Sequence, residues 1–152
     1  MYCNYYIEQE PQNCFVAVDE SDEPVGYILC CENYDNYERV FSEVYLPQAA
    51  AISAKRYVDA KMDMLTHSMF RESYKCHFHI DVDENYQNAG LGTALIRALK
   101  TRLRKRRIES LMLVCDRQNE RAVAFYKKNG FKPLIETKFG LAMGLDLNAE
   151  EL

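Results

Sequence analysis

The stretch that decides the fold is His77-Phe78-His79-Ile80-Asp81-Val82, then Asp83-Glu84-Asn85-Tyr86, then Gln87-Asn88-Ala89-Gly90-Leu91-Gly92-Thr93. It reads as a strand, a polar turn and a glycine-bearing loop that opens straight into a helix. Such a loop aims free backbone N–H groups at whatever lies above it, and the helix N-terminus adds a partial positive charge. The combination suits a phosphate or pyrophosphate. Glycines at 90 and 92 let the backbone approach that group with no Cβ in the way.

Outward from this segment the pattern is regular. Upstream, Phe15-Val16-Ala17-Val18 and Val25-Gly26-Tyr27-Ile28-Leu29-Cys30 flank the polar turn Asp19 to Pro24, which predicts a β-hairpin. Val40, Phe41, Val44 and Tyr45 recur at helical spacing until Pro47 stops them. A second helix is expected from about Ala49 to Arg71, with Val58, Met62, Leu65 and Met69 on its apolar stripe. Tyr74 to Val82 is the decisive strand. The helix after it repeats Leu91, Ala94, Leu95, Ala98, Leu99 and Leu103.

Downstream, Ser110-Leu111-Met112-Leu113-Val114-Cys115 is nearly all apolar, as a strand buried on both faces is. Asn119 suits an N-cap, and Asn129-Gly130 suits a helix C-terminus. Phe131 to Ile135 is extended. Leu141, Met143, Leu145 and Leu147 fall on one face of a last strand. The expectation is one mixed α/β domain over residues 1–152: hairpin, helices, then β-α-β-α-β-β.

The bulk numbers narrow the class. With 152 residues, 48% hydrophobic and 28% charged, the chain can build one real core. No apolar run approaches the roughly 20 residues of a membrane span, and the start has no signal-peptide pattern. A net charge of −4 argues against nucleic-acid binding. The six cysteines include the adjacent pair Cys30-Cys31 and form no CxxC, so they read as reduced thiols of a cytoplasmic protein. Their spacing does not suit zinc, and no metal is expected.

Two segments together resemble the GNAT-type N-acetyltransferases. The family loop, Gln/Arg-x-x-Gly-x-Gly/Ala between strand and helix, stands here as Gln87-Asn88-Ala89-Gly90-Leu91-Gly92. The second signature is Asn119 at a β-α junction, followed by Phe125-Tyr126-Lys127-Lys128-Asn129-Gly130-Phe131. The resemblance covers roughly residues 14 to 147. Within the family, Tyr74 to Val82 and Asn13 to Ala17 are similar to the acetyltransferase-like domain found beside O-GlcNAcase enzymes.

The resemblance implies an acyl-CoA N-acyltransferase fold, a mixed central sheet flanked by helices. It implies acetyl-CoA as co-substrate and direct transfer of acetyl to an amine acceptor, on a small molecule or a protein. A non-catalytic acyl-CoA-binding or regulatory domain is the alternative. Amides of Asn88, Ala89, Gly90, Leu91, Gly92 and Thr93, beside Gln87, would hold the pyrophosphate. The stretch Ile80-Asp81-Val82 would pair its backbone with the pantetheine amides, as a sheet edge takes an extended chain. Asn119 and Tyr126, seven residues apart, share a helix face that in this family looks toward the cofactor sulfur. Tyr126 is thus the candidate general acid: a phenol of pKa about 10 stays protonated at neutral pH. A core tyrosine is the plainer reading of the same residue.

The base is less legible. Some family members carry a Glu where Val114 stands. Asp116, just beyond that strand, is the nearest carboxylate and the candidate, though it equally suits a solvated turn. His77 and His79 face the same side of their strand and read as structural, with a base or proton wire, and further off a two-His metal site, as the alternatives. The basic run Lys100 to Arg107 reads as a solvated helix end, with the CoA 3′-phosphate as its alternative partner. Finally, only about a dozen residues precede the hairpin, where the family usually places a strand and one or two helices. Those elements usually build one wall of the acceptor site, so this shortened N-terminal portion means a naturally short domain, a gap filled by a partner chain, or a truncated sequence. An uncovered sheet edge that invites pairing makes a homodimer the expectation.

Overall fold

The computed structural model describes residues 3–138 and 140–149. After helix α1 (Asn4–Gln9) come strands β1 (Cys14–Val18) and β2 (Pro24–Cys31). Helix α2 (Tyr34–Val40) runs through one π-helical turn (Phe41–Tyr45) into α3 (Leu46–Ile52), and α4 (Ala54–Ser68) follows. The remainder is β3 (His77–Val82), α5 (Leu91–Lys105), β4 (Ser110–Cys115), α6 (Glu120–Lys128), β5 (Lys132–Thr137) and β6 (Gly140–Asp146).

The six strands form one sheet in the order β1-β2-β3-β4-β6-β5. Only β3 and β4 run parallel; the other neighbours are antiparallel. The β1–β2 turn is built by Asp19, whose carboxylate accepts the N–H groups of Ser21 and Glu23. Those bonds, with one from the Tyr86 hydroxyl, hold the Asp19 carboxyl below its usual range. Helix α5 buries Leu95, Ile96, Leu99 and Leu103 at helical spacing. Asn119 Oδ1 accepts the Ala122 N–H at 3.0 Å and caps α6, and Gly130, at φ +94°, ends it.

Strand alternation sends side chains to two cores. On one face Ile28, Cys30, Phe78, Leu111, Leu113 and Met143 pack under α5, with Phe125, Tyr126 and Phe131 at one side. On the other, Leu29 and Cys31 meet an aromatic cluster of Tyr5, Tyr6, Tyr34, Tyr37, Phe41 and Tyr45 with Ala60 and Met64. Glu10 is buried there and satisfied: it accepts from the Tyr5 hydroxyl, the Asn13 amide and the Glu32 N–H. Helices α1 to α4 therefore cover the face expected to lack a wall. The described cysteines are free thiols, and Cys30 and Cys76 touch at 3.3 Å. No described helix is long and apolar enough to cross a membrane.

The hairpin, the decisive strand, α5, β4, α6 and the last strands form as expected, although the strand begins at His77 rather than Tyr74. The segment 34–68 differs. Pro47 does not stop a helix; the chain continues helically through it, just past the π-helical turn that leads into α3. The expected long helix breaks at Ser53, whose hydroxyl accepts the Arg56 N–H and caps α4. Most tellingly, α4 turns the other way. It buries Ala60, Met64 and His67, while Val58, Leu65 and Met69 of the expected apolar stripe are exposed. Both sets fit a helical repeat, and packing against the aromatic cluster selects the smaller one.

This orientation has a measurable consequence. Leu99→Ala, in the core under α5, costs about 2–5 kcal/mol of folding stability. Leu65→Ala, on the exposed face of α4, stays within about 0.5 kcal/mol. Denaturant unfolding checks both, and equal losses would contradict the orientation of α4.

Candidate active site

The site grows from a gap in the sheet. The N–H of Asp83 donates to the Val25 carbonyl beyond the end of β3, and the Met112 N–H of β4 donates to the Cys76 carbonyl just before its start. Odd-numbered residues of β3 therefore turn their main-chain groups toward β2, and even-numbered residues turn theirs toward β4. The parallel ladder holds a single pair, His77 opposite Met112. Past that pair the strands part, and Ile80 and Val82 present their peptide edges to an open slot. At its far end the Asp81 carboxylate accepts the Val82 N–H at 2.9 Å, and the Gln87 amide donates to the Val82 carbonyl at 3.0 Å.

The slot leads to the loop before α5. Asn88 (φ +71°) and Gly90 (φ +82°) are both left-handed, a concave arrangement of amides. The first helical bond runs from Ala94 N–H to the Gly90 carbonyl. The N–H groups of Leu91, Gly92 and Thr93 thus have no partner within the helix. A Cβ at Gly90 would meet no protein atom within 4 Å, so the space above it is open.

Gly92 meets a further requirement besides lining the cleft. A Cβ there would lie 2.9 Å from the Phe125 ring, so α5 packs on α6 as it does only with glycine here. The loop is also tied from below, because the Tyr86 hydroxyl donates to Asp19 at 2.9 Å.

The cleft so formed has a volume of about 610 Å³, within the range of small-molecule sites. One wall is Ile80, Asp81, Val82, Gln87, Asn88, Gly90, Gly92 and Thr93; the other is α6 with Asn119, Phe125 and Tyr126. Ala89 and Leu91 do not line it with side chains; the Leu91 N–H is free of the helix ladder, whereas the Ala89 N–H donates to the Tyr86 carbonyl at 3.4 Å.

Tyr126 packs edge-on to Phe125 and Phe131, and burial, with Cys115 and Asp81 nearby, pushes its phenol up to about 12. It holds its proton throughout the neutral range. Asp116 is elsewhere. It is exposed, accepts the Gln118 N–H at 2.9 Å, and lines a second cleft with Arg117, Glu136 and Lys138. Two cations were not singled out from the sequence: Arg121, whose guanidinium donates to Asn88 Oδ1 at 3.1 Å, and Lys128. Arg121 and Lys128, seven residues apart, share a face of α6, but that this face meets the loop follows only from the fold.

The basic run Lys100 to Arg107 lies at the other end of α5. There Arg102 donates to Asn13 and Arg106 pairs with Glu32. His77 and His79 project to the face opposite the cleft, where both meet the Tyr6 hydroxyl. No group of three or more His, Cys, Asp or Glu among the described residues could hold a metal ion.

Comparison with known proteins agrees with this geometry. The model of the acetyltransferase (GNAT) family matches residues 1–131. The chain belongs to that family. The [ribosomal protein bS18]-alanine N-acetyltransferase of Escherichia coli (strain K12) is 43% identical over 54 residues, 36% of either protein. The chain thus spans about a third of the length of the curated relatives it matches.

Among solved structures, SsHAT superposes with a TM-score of 0.84 at 23% identity, over 95% of this chain and 77% of that one. An agmatine N-acetyltransferase mutant gives 0.69 at 15% identity, over 94% and 79%. These likenesses show the fold.

The packing of Gly92 is testable without a ligand. Gly92→Ala lowers stability by about 1–3 kcal/mol. Most of that loss vanishes in a Phe125→Ala background, and a double-mutant cycle in denaturant reads the difference. Strict additivity would mean that Phe125 does not set the requirement.

Proposed function

We propose that this chain is an acetyl-CoA-dependent N-acetyltransferase that moves acetyl directly to an amine of a small molecule or protein. The observation that carries the reading is the continuous slot from the unpaired peptide edge of Ile80 to the free amides at the N-terminus of α5. Its donors match an extended amide chain ending in a pyrophosphate.

Acetyl-CoA would supply the acetyl group as an activated thioester. Amides of residues 88–93, with Arg121 and Lys128 across the cleft, would hold the phosphates. The Ile80 edge would hold the pantetheine, and Val82 would join it once Asp81 and Gln87 release it. Asn119 would brace the same wall through its cap of α6. Tyr126 Oη would donate the proton taken by the departing thiolate, and its raised pKa keeps that proton available at neutral pH. Holding both reactants in line would supply much of the rate. The bacterial relative named for acetylating an alanine of a ribosomal protein supports an amine acceptor. The free thiols support a reducing compartment, the cytoplasm.

Titration calorimetry with acetyl-CoA and free CoA tests the reading. Wild type binds both, and Gly90→Glu, which sets a carboxylate at the phosphate position, weakens binding at least about tenfold. Tyr126→Phe leaves that affinity nearly intact and lowers turnover by about 10²-fold. Absence of binding by wild type would remove the enzyme reading.

We also propose a homodimer. Among the described residues the outer edge of β1 has no partner strand, and Val16 and Val18 stand exposed on it. Light scattering at micromolar concentration is expected to give twice the 17.7 kDa chain mass. A monomer there rules it out.

A further inference from the structure

Behind β3, on the face away from the cofactor cleft, lies a cluster of titratable side chains drawn from three elements. His77 and His79 come from β3, Tyr6 from α1, and Asp63 and His67 from α4. The Tyr6 hydroxyl sits 3.0 Å from His77 Nε2 and 3.0 Å from His79 Nε2. One hydroxyl has one proton, so it donates to one ring and accepts from the other. The His67 ring stacks on His77 with centroids 4.3 Å apart, and its Nδ1 faces the Asp63 carbonyl at 3.3 Å. His67 Nε2 and His77 Nδ1 are buried with no hydrogen-bond partner. Leaving two such atoms orphaned is costly for a purely structural cluster.

The cluster is graded in exposure. His67 and His77 are closed off at 3% and 1%, whereas His79 and Asp63 are half-buried. His79 also stands at a particular place: it is the first residue on this face past the last β3–β4 pair, next to Ile80 at the head of the slot. A chain lying in that slot brings its end to the His79 peptide. The leaving sulfur then belongs to the Tyr126 side, and a nucleophile must come from the His79 side.

Resting on the acetyltransferase reading, we propose that His79 is the general base of this chain, with Asp63 and Tyr6 as its positioning residues. His79 Nε2 is engaged by Tyr6, so an incoming proton arrives at Nδ1. The acceptor ammonium gives one N–H proton to Nδ1, and its freed lone pair forms the N–C bond to the acetyl carbon. The C–S bond breaks as Tyr126 protonates the sulfur, and the second proton of the attacking nitrogen, shed as the amide forms, returns through solvent to the Tyr126 phenolate. His79, now cationic, donates from Nε2 to Tyr6, and Tyr6 donates onward to His77. Solvent takes the proton after release.

The surrounding groups fit this role. Burial keeps His67 and His77 neutral, the former pushed down to about 3. Burial lowers His79 while Asp63 raises it, and burial raises Asp63. The pair is thus set to exchange a proton rather than to hold a fixed charge. Tyr37 from α2 and Cys31 from β2 complete the shell, and burial keeps both protonated.

Two measurements test the proposal. In histidine-labelled protein, one of the three ring resonances titrates above the other two, and Asp63→Asn moves its midpoint to lower pH. A His79 ring that never titrates, or one indifferent to Asp63→Asn, overturns the assignment. This arm needs no amine.

In the second, thiol release is followed with an alanyl peptide amide and with spermidine as amine probes. With whichever probe the wild type uses, His79→Gln lowers kcat by about 10²-fold and removes the acid limb of the pH profile, while the acetyl-CoA affinity is retained. Retained affinity with unchanged turnover sinks the base but leaves the enzyme reading standing. Loss of acetyl-CoA binding by wild type sinks that reading instead.

Discussion

The architecture turns on one short ladder. Parallel strands β3 and β4 share a single registered pair, His77 with Met112, and then diverge. Every unpaired peptide group in a sheet interior is a cost unless something fills the gap. Here the even-numbered edge of β3 is left open, with Val82 stopped at the far end by Asp81 and Gln87. The same divergence separates the two faces chemically: a cleft with amides, two cations and a phenol on one side, and a histidine–tyrosine–carboxylate cluster on the other. A reaction that removes a proton from one partner and returns one to another gains from such a partition, because the two groups cannot neutralise each other.

The face that carries the cluster is supplied by helices from two places in the chain. Four helices cover it, three of them between β2 and β3. Their packing is aromatic, with tyrosines from α1 and α2 meeting edge-on at centroid distances near 5 Å. Tyr5 and Tyr34 turn their hydroxyls to protein acceptors, Glu10 and the Met64 carbonyl. Phenols suit this place because they fill volume and still satisfy polar partners.

What could be read from the sequence was local. The loop from Gln87 to Thr93, the Asn119 cap and the α5 stripe each depend on residues within about two turns of one another. The first two formed as read, and in the stripe Leu95, Leu99 and Leu103 are buried while Ala94 is exposed and Ile96 takes a buried place instead. The errors have a common cause. Helix α4 carries two apolar sets, Val58-Met62-Leu65-Met69 and Ala60-Met64-His67. The first is larger, yet the second fits the tyrosine cluster, a fact that lives 30 residues away. Ser53 was a helix-start residue read as continuation, and Pro47 was read as a stop although the helix runs on through it after a π-helical turn. Arg121 and the partnership of His67 with His77 were invisible for the same reason: they join different elements, and spacing along a chain says nothing of distance across a sheet. Gly92 was legible as a loop glycine, but its contact with Phe125, 33 residues on, was not.

That last contact carries weight beyond packing. The Phe125 ring against Gly92 fixes how far α6 stands from the start of α5, and so sets the width of the cleft before any ligand arrives. With the loop also pinned through Tyr86 to the β1–β2 turn, both walls are rigid in advance. A guest entering such a cleft forfeits its own freedom but demands little from its host. Association would then be governed by encounter and by release of the peptide edge of Val82, not by a closing hinge.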